Sequence, residues 1–150
     1  MKTVNISKKS SGGRIIAPVD GSKNANRAAE EAIRLAKQTN RSVYALYVID
    51  TPRLTNVIPP DEISTLWTEG LNQQGKQVLT DIKKLGQKKG VKVETHLVVG
   101  FPEEEILKAA KKDDLIVMGC KGKTALDRIL LGSVCENVIH HSKGPVMVIH

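Results

Sequence analysis

Gly119-Cys120-Lys121-Gly122, followed after nine residues by Gly132-Ser133, is the part of this chain whose residue types and spacing suit the binding of an anion. An apolar run, Leu115-Ile116-Val117-Met118, precedes it, and a helical pattern beginning Ser133-Val134-Cys135-Glu136 follows it. Glycine lets a backbone approach a ligand closely. A helix N-terminus directly behind adds free N–H groups and a positive dipole end. Lys121, Lys123 and Arg128 place positive charge in the same segment. The chemistry is that of a phosphate cradle. Ser133 and Glu136 also have the spacing of a capping box, with Ser133 as the predicted N-cap.

Two better-known phosphate loops do not fit. Gly122-Lys123-Thr124 imitates the end of a Walker A loop, but the earlier glycine that loop requires is replaced by Val117. The first strand-to-helix turn reads Asp20-Gly21-Ser22 and lacks the G-x-G-x-x-G of dinucleotide-binding enzymes.

Five apolar stretches that stop at turn residues predict strands over 14–19, 42–49, 91–99, 113–118 and 145–150. Helical patterns lie between them. Ala25, Ala28, Ala29, Ala32, Ile33 and Ala36 form a narrow stripe that would let the first helix lie close to a sheet, with Asn40 as its stop. A second helix from Asp61 onward carries Gly70 and Gly75, which weaken the helical pattern and leave room for a break. Pro102 suits the first turn of the third helix, which runs from glutamates 103–105 to Lys108, Lys111 and Lys112. Strictly alternating strands and helices imply an α/β fold: one open, five-stranded parallel sheet with helices on both faces. In the order 3-2-1-4-5 the switch point lies between strands 1 and 4. That brings Asp20 and the 119–133 segment to one crevice.

A chain of 150 residues is expected to form one domain, residues 14–150, behind a flexible tail of residues 1–13. The start is polar and has no secretory pattern, no run is long enough to span a bilayer, and the two cysteines form neither a disulfide framework nor a zinc spacing. A cytoplasmic location is the expectation. The formal net charge of +7 raises the question of nucleic acid, but one Trp, two Tyr and one Phe leave little to stack on bases. No third ligand accompanies His140 and His141, so no metal site is predicted. Cys120 and Cys135 flank the cradle, and a helix N-terminus can lower a thiol pKa, which raises the idea of a redox switch.

The chain resembles the universal stress protein family, in its nucleotide-binding subgroup. The resemblance rests on Ala17-Pro18-Val19-Asp20-Gly21-Ser22, Tyr47-Val48-Ile49-Asp50, Val117-Met118-Gly119, the spacing through Gly132-Ser133-Val134, and Gly144-Pro145-Val146-Met147-Val148-Ile149. It implies the 3-2-1-4-5 sheet and ATP, or another adenylate, in the crevice with a divalent cation such as Mg²⁺. By position it implies that Pro18 and Val19 line the pocket, Asp20 meets ribose and adenine, and the Val48 backbone meets adenine. Met118, Gly119, Lys121, Gly122, Gly132, Ser133 and Val134 would form the ribose and phosphate cradle. Cys135 stands where the family commonly has a hydroxyl that can face a phosphate, and a thiol is the weaker donor.

Turnover needs a residue that positions water. Asp127 and Glu136 qualify by location only, so no catalytic residue is assigned. The favoured reading is a nucleotide-dependent sensor or adaptor with an unidentified protein partner. A slow or partner-activated ATPase, and a basic nucleic-acid binder with a vestigial pocket, are the alternatives. The last strand is an apolar edge without charge, which predicts a homodimer through 145–150, or else cover by the N-terminal tail.

Overall fold

The computed structural model describes residues 12–50, 53, 65–120 and 131–150. Strand β1 (Ile15–Val19) leads to helix α1 (Lys23–Thr39), β2 (Val43–Ile49), α2 (Thr65–Lys89), β3 (Val93–Val99), α3 (Pro102–Ala109), β4 (Leu115–Gly119), α4 (Ser133–His141) and β5 (Val146–Ile149). All pairings are parallel and the sheet order is β3-β2-β1-β4-β5, as expected from the alternation of elements.

Side chains alternate across each strand, so the sheet faces two cores. On one face Ile15, Ala17, Val19, Val43, Ala45, Tyr47 and Val117 meet α1 and α2. The predicted alanine stripe of α1 is buried in full. Ser22 caps this helix, its hydroxyl accepting from the Ala25 N–H at 3.2 Å, and Asn40 ends it in the left-handed conformation. On the other face Ile16, Leu46, Ile116 and Met118 pack with Ile106 of α3 and with Cys135 and Val138 of α4.

Helix α2 runs unbroken through Gly70 and Gly75, so the break they left room for does not occur. At Gly75 a Cβ would lie 2.6 Å from Leu97 Cδ1 and 2.9 Å from Tyr47 Cδ1. This glycine lets α2 lie close on β2 and β3, and that packing outweighs its poor helix propensity.

At the amino ends of the strands, buried Asp114 joins β4 to the start of β1. Its carboxylate accepts from the Arg14 N–H at 2.6 Å, the Arg14 guanidinium at 2.7 Å and the Lys111 N–H at 2.9 Å. Gly13 is already part of this fold, its N–H donating to Asp113 O at 3.1 Å; residues 1–11 of the proposed tail lie outside the described residues.

Candidate functional site

The crevice forms where connections leave the sheet in opposite directions, at the carboxyl ends of β1 and β4. There Pro18, Val19, Asp20, Val48, Met118, Gly119 and Val134 line one cleft of about 130 Å³ together with Ala25, Leu46, Pro102 and Ile106. The walls therefore come from β1, β2, β4, α1, α3 and α4. Pro18 pairs with Leu46 in register, so β1 and β2 present adjacent apolar positions to the cleft floor. The volume is below the ~300–1,000 Å³ usual for small-molecule sites. Lys121 and Gly122, and also Lys123, Asp127 and Arg128, lie outside the described residues.

Asp20 is the carboxylate of the cleft. It is half-buried, and its Oδ1 accepts from the Ser22 N–H at 2.9 Å, which holds the turn into α1. Gly119 ends β4 against the start of α1. A Cβ there would lie 2.9 Å from Asn24 C and 3.0 Å from Asn24 O, both backbone atoms. Only a residue without a Cβ lets β4 end this close to α1.

Helix α4 begins differently from the capping-box expectation. Gly132 is the N-cap, no side chain caps the helix, and Ser133 is the first helical residue. The first intrahelical bond runs from Glu136 N–H to Gly132 O at 2.9 Å. Helical geometry leaves the N–H groups of Ser133, Val134 and Cys135 without an intrahelical acceptor. The Gly132 N–H itself donates to Cys120 O at 2.8 Å, and the Cys120 N–H donates to Ile149 O at 3.0 Å. Gly132 thus contributes backbone closure, while the three following residues supply donors.

The thiols do not behave as the helix position suggested. Cys135 is 3 % exposed and packs in the core with Met118 and Val138, so it offers a ligand only its N–H. Burial, and then the neighbouring Cys120, push its thiol pKa up, opposite to the lowering expected at a helix N-terminus. Cys120 is also buried, and its Sγ lies 3.1 Å from His150 Nδ1.

Beside the cleft, Arg53 bridges Asp50 Oδ2 at 2.8 Å and Glu103 Oε1 at 2.6 Å. This ties the segment after β2 to the start of α3, next to the lining residue Pro102. Sequence reasoning missed Ala25, Leu46, Pro102 and Ile106 as cleft residues, because each already had a sufficient role in a core or a helix turn. The match of Leu46 and Val48, two apart on one strand face, was the signal available. Among the described residues no cluster of three His, Cys, Asp or Glu side chains could hold a metal ion. Among the same residues no helix is long and apolar enough to cross a membrane.

A model of the Universal stress protein family matches residues 13–150. Universal stress protein MJ0531 of Methanocaldococcus jannaschii is 43% identical over 138 residues, covering 91% of this chain and 81% of that protein. The solved structure of hypothetical protein MJ0577, from the same organism, superposes with a TM-score of 0.78 at 37% identity, covering 91% of this chain and 94% of that one. The universal stress protein from Archaeoglobus fulgidus solved in complex with dAMP shares the fold, with a TM-score of 0.63 at 23% identity over 92% of this chain and 98% of that one.

Proposed function

The chain belongs to the universal stress protein family, and on that premise we propose that it is an ATP-binding sensor or adaptor with little intrinsic turnover. The observation that carries the reading is the meeting of Asp20, Val48, Gly119 and Val134 in one cleft at the switch point of the sheet. The adenine nucleotide held by the Archaeoglobus fulgidus protein supports an adenylate as the ligand.

The residues present fit the group. Pro18, Val48, Leu46, Met118 and Ile106 supply apolar surface for a base. Asp20 supplies an acceptor for ribose hydroxyls. The N–H groups of Ser133, Val134 and Cys135, at the positive end of α4, supply donors for phosphate. Lys121 and Gly122 complete the proposed cradle. Mg²⁺ would enter with the phosphates, since such ions are held largely by phosphate oxygens and water. The bound nucleotide would supply negative charge to the α4 N-terminus. The chain's own residues bind and orient it.

Of the two candidates for positioning water, Glu136 is exposed on α4 and Asp127 lies outside the described residues. We also propose that residues 14–150 act as one domain in the cytoplasm, and that they dimerise through β5. That strand is the sheet edge, and Met147 on it is 36 % exposed.

The test is calorimetric titration of nucleotide-stripped protein with Mg·ATP, beside Gly132→Val. Gly132 has φ −64° and ψ 152°, a conformation valine accepts, so the variant should fold while its branched side chain obstructs the α4 N-terminus. Binding by the parent and loss in the variant is the expected result. Equal binding, or none by the parent, would count against the reading.

A further inference from the structure

Cys120 occupies the junction on which the cleft depends. Its main chain holds two partners at once: C=O to the Gly132 N–H at 2.8 Å, and N–H to Ile149 O at 3.0 Å. The first of these bonds fixes the N-terminus of α4 against the end of β4. The side chain is 4 % exposed, yet its neighbour is polar: His150 Nδ1 at 3.1 Å from Sγ. His150 is an exposed residue. Cys135 differs. It lies in the apolar core, and no histidine contact is found for it among the described residues.

A thiol beside an imidazole can pass its proton to nitrogen and become the nucleophile. A buried apolar thiol is inert by comparison. We propose that Cys120, activated by His150, is a peroxide-sensitive thiol whose oxidation opens the β4–α4 junction and so weakens ligand binding in the cleft. Only the last clause rests on the nucleotide reading above.

The step balances with hydrogen peroxide as oxidant. The Cys120 S–H proton moves to His150 Nδ1. The thiolate attacks one peroxide oxygen, an S–O bond forms and the O–O bond breaks. Hydroxide leaves and takes the proton back from His150 as water. Sulfur is oxidised by two electrons to the sulfenic acid and peroxide is reduced by two. An oxygen added to Sγ must be accommodated at a residue that is 4 % exposed. Relief comes by displacement of the adjoining Gly132 closure, since close-packed interiors do not absorb extra atoms without movement.

The experiment uses the full, reduced chain. Hydrogen peroxide and dimedone are added together, and adducts are mapped by mass spectrometry. Cys120 is labelled and Cys135 is not, and His150→Ala slows labelling of Cys120 on the order of a hundredfold, the lower end of what a lost general base costs. Equal rates with and without His150, label confined to Cys135, or no label on Cys120 would overturn the proposal. Hydrogen exchange then reads the junction. The Gly132 amide exchanges faster after oxidation of the parent, and Cys120→Ser or Cys120→Ala shows no change with peroxide. Unchanged exchange in oxidised parent protein contradicts the opening. Titration of reduced and oxidised protein with Mg·ATP should show at least a fivefold loss of affinity on oxidation, on the order of one kcal/mol. If reduced protein does not bind, the nucleotide reading fails, while labelling and exchange still decide the thiol.

Discussion

Replacing Asp114 by alanine should remove a large part of the stability of this fold without altering the cleft. The carboxylate is 3 % exposed and serves three donors: the Arg14 N–H, the Arg14 guanidinium and the Lys111 N–H. Arg14 also donates to Ala109 O at 2.8 Å, so one ion pair ties the starts of β1 and β4 to the end of α3. Alanine leaves the guanidinium without its counter-charge and two N–H groups without an acceptor. Breaking a buried pair from one side costs about 3–5 kcal/mol. A domain's whole stability is only about 5–15 kcal/mol, so the loss is a third or more of a typical value. The double variant Arg14→Met/Asp114→Leu should recover much of it, since apolar replacement of both partners removes the unpaired charge. The assay is urea denaturation, with the midpoint and slope compared across the three proteins. A cost below about 1 kcal/mol for Asp114→Ala, within the range of ordinary surface changes, would refute the reasoning.

The same carboxylate sets a pH dependence. Burial is the largest influence and pushes its pKa up, but the hydrogen bond from Arg14, the Lys111 and Arg14 N–H groups and the Arg14 charge outweigh it. The folded pKa therefore lies below the ordinary 3.8. A depressed carboxyl contributes stability that is present above the unfolded value and is lost as pH falls through it toward the folded value. Denaturation curves of the parent and Arg14→Met/Asp114→Leu should converge as pH falls below about 4; a constant difference would contradict this.

Two further outcomes follow from the geometry. Gly119→Ala forces its Cβ against the Asn24 backbone at 2.9 Å, where ordinary contact starts at 3.4 Å. It should destabilise the fold by about 1–3 kcal/mol and weaken Mg·ATP binding by moving Ala25; unchanged urea midpoint and affinity would sink the close-approach argument. Met147→Lys places a charge on the exposed sheet edge and should shift sedimentation from dimer to monomer; a parent that sediments as a monomer at all concentrations would remove the dimer proposal.

Sheet order was legible because the apolar runs were continuous and the helical stripes were narrow. The alanines of α1, the stop at Asn40 and the helix start at Pro102 each had one physical reading, and the structure realises all of them. Gly75 was misread because its role is a contact with β2 and β3, far away in sequence. The N-terminus of α4 was misread by one residue. Ser-x-x-Glu suits a capping box, but Gly132 takes the cap because its N–H closes onto Cys120 O. The buried thiol of Cys135 was hidden for a related reason: a helix start shows charge effects in sequence, whereas the direction of its third residue depends on where the helix docks. Asp114 reads in sequence as a polar strand start, and only the packing of β1 beside β4 reveals it as a buried acceptor. In the cleft, Asp20 and Gly119 could be brought together by topology alone. Ala25 and Ile106 required knowledge of how α1 and α3 lie on the sheet.

The central claim, that the switch-point cleft holds an adenine nucleotide, is tested most directly by calorimetric titration of stripped protein with Mg·ATP. The account predicts saturable one-site binding by the parent that Gly132→Val abolishes while its urea midpoint stays close to the parent's. No heat of binding in the parent, or equal affinity in the variant, would contradict it.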